Sequence, residues 1–297
     1  MIIVNFEGGL GNQMFQYAAG LAVAKNIGSS IKCTLDLLGS HRTKRIYELY
    51  DVFGVEISVA SSQELSLLLG PMRKNKYVRK ILAKPSAKFL RNKFFISDDH
   101  SVFVENLASH CISGAYLHGY WQSEKYFKGA EQSIQSCFTF PTLGNDNDLR
   151  IVNEMSGCYS IGVHVRRGDY LASSQSGSIH NVLPLSYYKS AINRLHTEQP
   201  DAKLFVFSDD INWARQHIQP LSTKTVFVNH NQGKTAFRDM QLLALCDAII
   251  TANSSFSWWA AWLNSKSHKR IIAPNKWFSH DRMSSENILP PTWEAMG

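Results

Sequence analysis

The chain has 297 residues, of which 44% are hydrophobic and 19% charged, and a net charge of +7. Domains usually run to about 100–200 residues, so a single small core is excluded and two domains are expected. No apolar run reaches the roughly 20 residues that span a bilayer, and the opening MIIVNFEGG lacks the basic start and apolar centre of a secretion signal.

The five cysteines (Cys33, Cys111, Cys137, Cys158 and Cys246) are widely spaced and form no Cys-x-x-Cys. This fits reduced thiols in a cytosolic protein and argues against a disulfide framework or a zinc site.

In chain order, Ile2–Phe6 reads as a strand and Glu7–Asn12 as a glycine turn. Residues 13–26 read as a helix, with Met14, Tyr17, Ala18, Leu21 and Ala22 at helical spacing. A second strand, 31–35, ends at Asp36, which completes a βαβ opening. The turn lacks the third glycine of a dinucleotide fingerprint. It either lines a ligand cleft or only packs the following helix on the sheet. In the first case Gly9 and Gly11 shape it, and Asn12 and Gln13 offer contacts to the ligand.

Between Glu64 and Asp98 there is no acid, but there are nine basic residues. Tyr77, Val78, Ile81, Leu82, Phe89 and Leu90 are interleaved with them. A basic amphipathic segment at 71–93 fits peripheral contact with an anionic membrane, or a plain solvated face. No nucleic-acid-binding module is visible, so nucleic acid is not expected as a partner.

Residues 40–140 show short helical patterns and an aromatic stretch at 116–121. Residues 141–148 (PTLGNDND) read as a linker. The expected domains are 1–145 and 146–297, with roughly the last 20 residues packing back on the first.

After the linker, strands are predicted at 159–165, 203–207, 225–228, 248–252 and 270–273. Helices are predicted at 186–198, 211–218, 235–246 and 256–264. Apolar strands alternating with helices predict an α/β fold with a parallel sheet covered on both faces. The aromatic run Phe256, Trp258, Trp259 and Trp262 reads as core.

Ligands of such sheets bind beyond the carboxyl ends of the strands. The five ends carry His164-Val165-Arg166-Arg167-Gly168-Asp169, Ser208-Asp209-Asp210, Asn229-His230-Asn231, Asn253-Ser254-Ser255 and Pro274-Asn275-Lys276. Together they read as a nucleotide-diphosphate site. Arginine forks suit a diphosphate, and a turn opening a helix suits an anion. Asp209 or Asp210 suits a guanine edge or, equally, a helix cap; Ser254 or Ser255 suits an N-cap, and His164 a core histidine. Gly233-Lys234-Thr235 resembles a P-loop tail, but Val228 stands where the first glycine belongs.

GGLGNQMFQYA (8–18), GYWQSEKYF (119–127), HVRRGDY (164–170), HNVLPLSYY (180–188), FSDD (207–210), NSSFSWWAAWL (253–263) and IAPNKWF (272–278) resemble the α-1,2-fucosyltransferases of glycosyltransferase family 11. Bacterial members build O-antigen and other surface polysaccharides.

The resemblance implies two Rossmann-like domains facing across a cleft, a GT-B-like fold, with 1–145 on the acceptor side and 146–297 on the donor side. It implies GDP-β-L-fucose as donor, a galactose-containing oligosaccharide or lipid-linked glycan as acceptor, and inversion without a metal or other cofactor. Arg166 is implied as the main diphosphate ligand, with His164, Arg167 and Asp169 in the same motif. Related α-1,6-fucosyltransferases use a glutamate shortly after this motif, but 171–179 (LASSQSGSI) holds no acid. His180, Asp169 and Glu7 remain as candidate bases, beside a dissociative route that needs none. The competing readings are another GDP-sugar transferase and a non-catalytic nucleotide-binding or membrane-surface module.

Overall fold

The computed structural model describes residues 1–38, 46–98, 102–168, 182–279 and 285–297. The chain forms two compact units, Met1–Thr139 with Arg282–Ile288 and Phe140–Asp281 with Leu289–Gly297.

In the first unit, β1 (Ile2–Asn5) leads through Gly8 and Gly9 into α1 (Leu10–Asn26) and β2 (Ile31–Thr34). The helix begins three residues earlier than its apolar periodicity suggests, with Gly9 as its N-cap. It is buried on most sides, from Leu10 through Ala24, so it carries little amphipathic signal. Gly20 lets it lie close on the sheet: a Cβ there would stand 2.3 Å from a Val4 methyl.

Short elements follow: α2 (Glu48–Phe53), α3 (Ser62–Leu69), α4 (Lys76–Leu82), a 3₁₀ turn (Pro85–Leu90), β3 (Phe95–Ser97), α5 (Leu107–His110), β4 (Ala115–His118) and α6 (Glu131–Cys137). The sheet is all parallel, in the order β2-β1-β4-β3. Ile3, Leu65, Leu69, Leu82, Phe95 and Tyr116 form a core on one of its faces.

The basic stretch is therefore not one helix. Arg79 in α4 is 1% exposed, pairs with Asp36 and lies over the Tyr116 ring.

The second unit runs α7 (Asp146–Ser156), β5 (Ser160–Val165), α8 (Leu185–Glu198), β6 (Lys203–Ser208), α9 (Ile211–Ile218), β7 (Thr225–Val228), α10 (Phe237–Leu243), β8 (Ala248–Ile250), α11 (Ser255–Leu263), β9 (Arg270–Pro274) and β10 (Glu294–Met296). The parallel sheet has the order β10-β9-β8-β5-β6-β7. Every residue of β5 is buried, as expected for a central strand covered on both faces. Ile161, Val163, Leu204, Val206 and Ile250 pack there against Tyr187, Ile192 and Leu195 of α8.

Of the four aromatics read as core, Trp258 and Trp259 are fully buried, while Phe256 and Trp262 are half-buried. The 235–246 helix is shorter than expected, a 3₁₀ turn at Gly233–Thr235 preceding α10. The tail is divided: Arg282–Ile288 belong to the first unit, while β10 extends the second unit's sheet, pairing Glu294 with Ile272. All five cysteines are free thiols. Among the described residues no helix is long and apolar enough to cross a membrane.

Candidate active site

In the second sheet the chain leaves β5 toward β6 and β7, then returns to the other side of β5 with β8. That reversal opens a crevice beyond the carboxyl ends of β5 and β8, where ligands of doubly wound sheets bind. The two ends are Arg166-Arg167-Gly168 and Asn253-Ser254-Ser255.

Asp209, just past β6, holds the arginine turn. Its carboxylate accepts from the backbone N–H groups of Arg167 (2.9 Å) and Gly168 (3.1 Å) and pairs with Arg166 Nε at 3.3 Å. Gly168 sits against that carboxylate; a Cβ would lie 3.3 Å from Asp209 Oδ2. Asp210 caps α9 by accepting from Trp213 N–H at 3.1 Å and lies 3.6 Å from Arg167 Nε. The Arg167 guanidinium stacks 4.0 Å from the Trp213 ring centroid.

Asp209 thus orients the arginine turn, and Asp210 takes the helix-cap role that the sequence offers beside a guanine contact. Both oxygens of Asp209 accept from the turn, while Asp210 Oδ1 caps the helix. A fixed, planar, charged fork is the result, suited to a diphosphate.

His164 is buried and stacks on Phe256 at 5.5 Å. Burial, helped by the Arg166 charge, pushes its pKa down to about 3, so it is neutral. Its Nδ1 has no partner among the described residues. It is a neutral ring under the arginine turn, not a third cation.

Ser254 is the N-cap of α11, accepting from Phe256 N–H at 3.4 Å. Its side chain serves the helix, and the first turn of α11 directs positive dipole toward the crevice. Ser255 is half-buried beside it. Asn253 is buried and donates to the Trp277 carbonyl at 3.2 Å, tying the β8 end to the segment after β9. Lys276 is exposed on that segment. Asp169 and His180 lie outside the described residues.

The end of β7, at the sheet edge, is not part of this crevice. Asp148 accepts from His230 Nε2 (2.8 Å) and Asn231 Nδ2 (3.0 Å), and Asn231 also donates to Asp239 at 3.0 Å. Burial, with Asp148 adding to it, raises the Asp239 pKa from 3.8 to about 7 against the Asn231 hydrogen bond. A raised carboxyl pKa stabilises the fold below the unfolded value, and that stability is lost as pH rises through about 7. Asp239→Asn should therefore be more stable than the parent by up to about 4 kcal/mol at alkaline pH, with the difference vanishing toward about pH 4. Thermal melts across that range check it; a constant offset would contradict it.

The first sheet has its own reversal, between β1 and β4. The ends there are Glu7-Gly8-Gly9 and Gly119-Tyr120-Trp121. Gln16 ties them, accepting from Glu7 N–H (3.2 Å) and donating to the Gly119 carbonyl (3.1 Å). Asn12 is half-buried and accepts from Gln122 at 2.8 Å. Gly8 has φ +80°, and a Cβ would stand 2.5 Å from Asn12 Nδ2, so only glycine fits.

Gln13, predicted to face a ligand, is fully buried. Its amide donates to the carbonyls of Gly8 and Ile46 and accepts from Glu48 N–H, so it fastens α2 to the glycine turn. Gly9 and Gly11 act through the backbone at the start of α1. Trp121 adopts φ +56°, which costs a bulky residue about 1–2 kcal/mol; its N–H is held by Asp98 at 2.9 Å.

Glu7 is half-buried, and its carboxylate makes no hydrogen bond or ion pair among the described residues. Burial raises its pKa, and Lys80 partly offsets this. Gln16, Gln122 and Trp213, none of them among the residues the sequence singles out, hold these strand ends in place. For Gln16 the available signal is an amide placed in the otherwise apolar run Met14–Ala19.

The profile of Glycosyl transferase family 11 matches residues 65–296. The chain is 31% identical to the Alpha-1,2-colitosyltransferase of Escherichia coli over 99% of this chain and 98% of that protein. It is 30% identical to the O-antigen biosynthesis glycosyltransferase WbnK of Escherichia coli over 94% and 95%. Among solved structures, NodZ alpha-1,6-fucosyltransferase soaked with GDP-fucose has a TM-score of 0.54 at 17% identity, covering 94% of this chain and 96% of that one. NodZ, from Bradyrhizobium, shares the fold. With a parallel α/β sheet, an oriented arginine pair at its switch point and a family match over most of its length, the chain belongs to glycosyl transferase family 11 and is a glycosyltransferase.

Proposed function

We propose that the protein transfers L-fucose from GDP-β-L-fucose, with inversion and without a metal ion, to the 2-hydroxyl of a galactose in a surface-polysaccharide acceptor. The observation that carries this is the Arg166–Arg167 fork held by Asp209 and Asp210 at the β5/β8 switch point. As C1 of the sugar acquires oxocarbenium character, charge grows on the β-phosphate oxygen. A guanidinium already oriented by Asp209 meets that charge without reorganising, so it stabilises the transition state more than the ground state. The α11 N-terminus adds positive dipole to the same crevice. Of the three candidate bases Asp169, His180 and Glu7, Glu7 is the one among the described residues, at the end of β1 in the first unit, and it is our candidate for taking the acceptor's hydroxyl proton.

A second donor is favoured by one observation, the full-length similarity to a colitosyltransferase. Colitose is fucose without its 3-hydroxyl, so the same diphosphate fork serves both. The test is turnover with GDP-fucose, GDP-colitose and GDP-mannose, each with and without EDTA. Fucose transfer that exceeds the other two and is insensitive to EDTA is expected. Colitose ahead of fucose would move the donor to the second reading. Mannose transfer, or loss of activity with EDTA, would overturn the proposal.

A further inference from the structure

The window between Glu64 and Asp98 holds nine cations and no acid, and the fold divides them by role. Three arginines are structural. Arg79 is 1% exposed, pairs with Asp36 and donates to the Lys74 carbonyl. Arg73 donates to the Leu90 carbonyl at 2.9 Å. Arg91 donates to the carbonyls of Leu82 (2.7 Å), Ala83 (3.1 Å) and Lys84 (3.3 Å), answering groups that the end of α4 leaves open. These arginines fix α4 and the following 3₁₀ turn.

The six lysines, at 74, 76, 80, 84, 88 and 93, are all exposed. Large apolar side chains stand among them in water: Met72 is 79% exposed, Tyr77 66%, Ile81 54% and Phe89 82%. On α4 the two kinds share one side. Lys76, Tyr77, Lys80 and Ile81 face out, while Arg79 and Leu82 face in. An exposed Phe or Met gains nothing from water, and a surface that gathers several of them marks an interaction site.

We propose that Met72–Lys93 is a docking face for an anionic phospholipid surface. Lysines meet headgroup phosphates, while Met72, Tyr77, Ile81 and Phe89 enter the boundary between headgroups and acyl chains. A nucleic acid would satisfy the lysines but offers no apolar layer for Met72 and Ile81. The docking itself does not depend on which sugar is transferred.

The test is flotation of the full chain with vesicles of phosphatidylcholine alone or mixed with phosphatidylglycerol. Binding to the mixed vesicles only, weakening with salt, is expected. Lys76→Gln with Lys84→Gln should weaken it by about 25-fold, roughly fivefold per lysine near the surface. Met72→Ser with Phe89→Ser should weaken it while leaving the salt dependence in place. These side chains are exposed, so unchanged melting temperatures separate lost docking from lost folding. Equal binding to both vesicles, no binding to either, or an unaffected lysine variant would overturn the proposal. So would tighter binding to single-stranded RNA than to the mixed vesicles.

Discussion

Arg166→Ala should lower turnover by about 10²–10³, or about 2.7–4 kcal/mol of transition-state stabilisation, while the protein keeps its melting temperature. The fold should tolerate the change because Asp209 is not orphaned: it keeps the N–H groups of Arg167 and Gly168. The half-buried ion pair itself contributes little to stability. Arg166→Lys keeps the charge and loses the fork, so it should recover only part of the rate. The loss should fall on kcat more than on KM, because the interaction strengthens as the leaving group gains charge. Steady-state kinetics on both variants check this; near-normal turnover by Arg166→Ala would remove the diphosphate assignment.

Glu7→Gln should cost about 10²–10⁴ in rate if Glu7 takes the acceptor proton. The sign of its pH dependence follows from burial. A carboxyl with a raised pKa keeps its proton to higher pH, so the base form accumulates only above the ordinary carboxylate range. The rate of the parent should therefore rise with pH along a limb displaced upward, and Glu7→Gln should lose that limb. Lys80 opposes the shift, so Lys80→Gln should move the limb to still higher pH. A Glu7→Gln enzyme with normal rate and an unchanged limb would favour a dissociative route without a base at this position.

The second unit was legible because its strands are continuous apolar runs and its helices are amphipathic. β5, β6, β7 and β9 fall within a residue or so of their predicted spans. The polar strand ends also located the crevice. The sequence could not say which side chains face a ligand. Asp209 and Asp210 look alike in FSDD, yet one grips the arginine turn and the other caps α9. Asn229-His230-Asn231 looked equivalent to the other ends, but strand order puts it on the sheet edge, where Asp148 and Asp239 engage it.

In the first unit, β3 has three residues and β4 four, and several helices are shorter than two turns. Such elements carry no readable period. Gln13 beside Asn12 in a glycine turn suggested a ligand contact; only the structure reveals that Glu48 and Ile46 consume it. Likewise Arg79 reads as one cation among nine until its burial beside Asp36 sets it apart.

The proposed reaction joins a GDP-activated 6-deoxy sugar to a galactose through an α-1,2 linkage. Incubating it with GDP-β-L-fucose and a panel of β-galactosides, then determining mass, anomer and linkage of the product, tests this directly. The expected product carries one added fucose, α-linked to the 2-hydroxyl of galactose. A β-linked product, or fucose at any other hydroxyl, would contradict the claim.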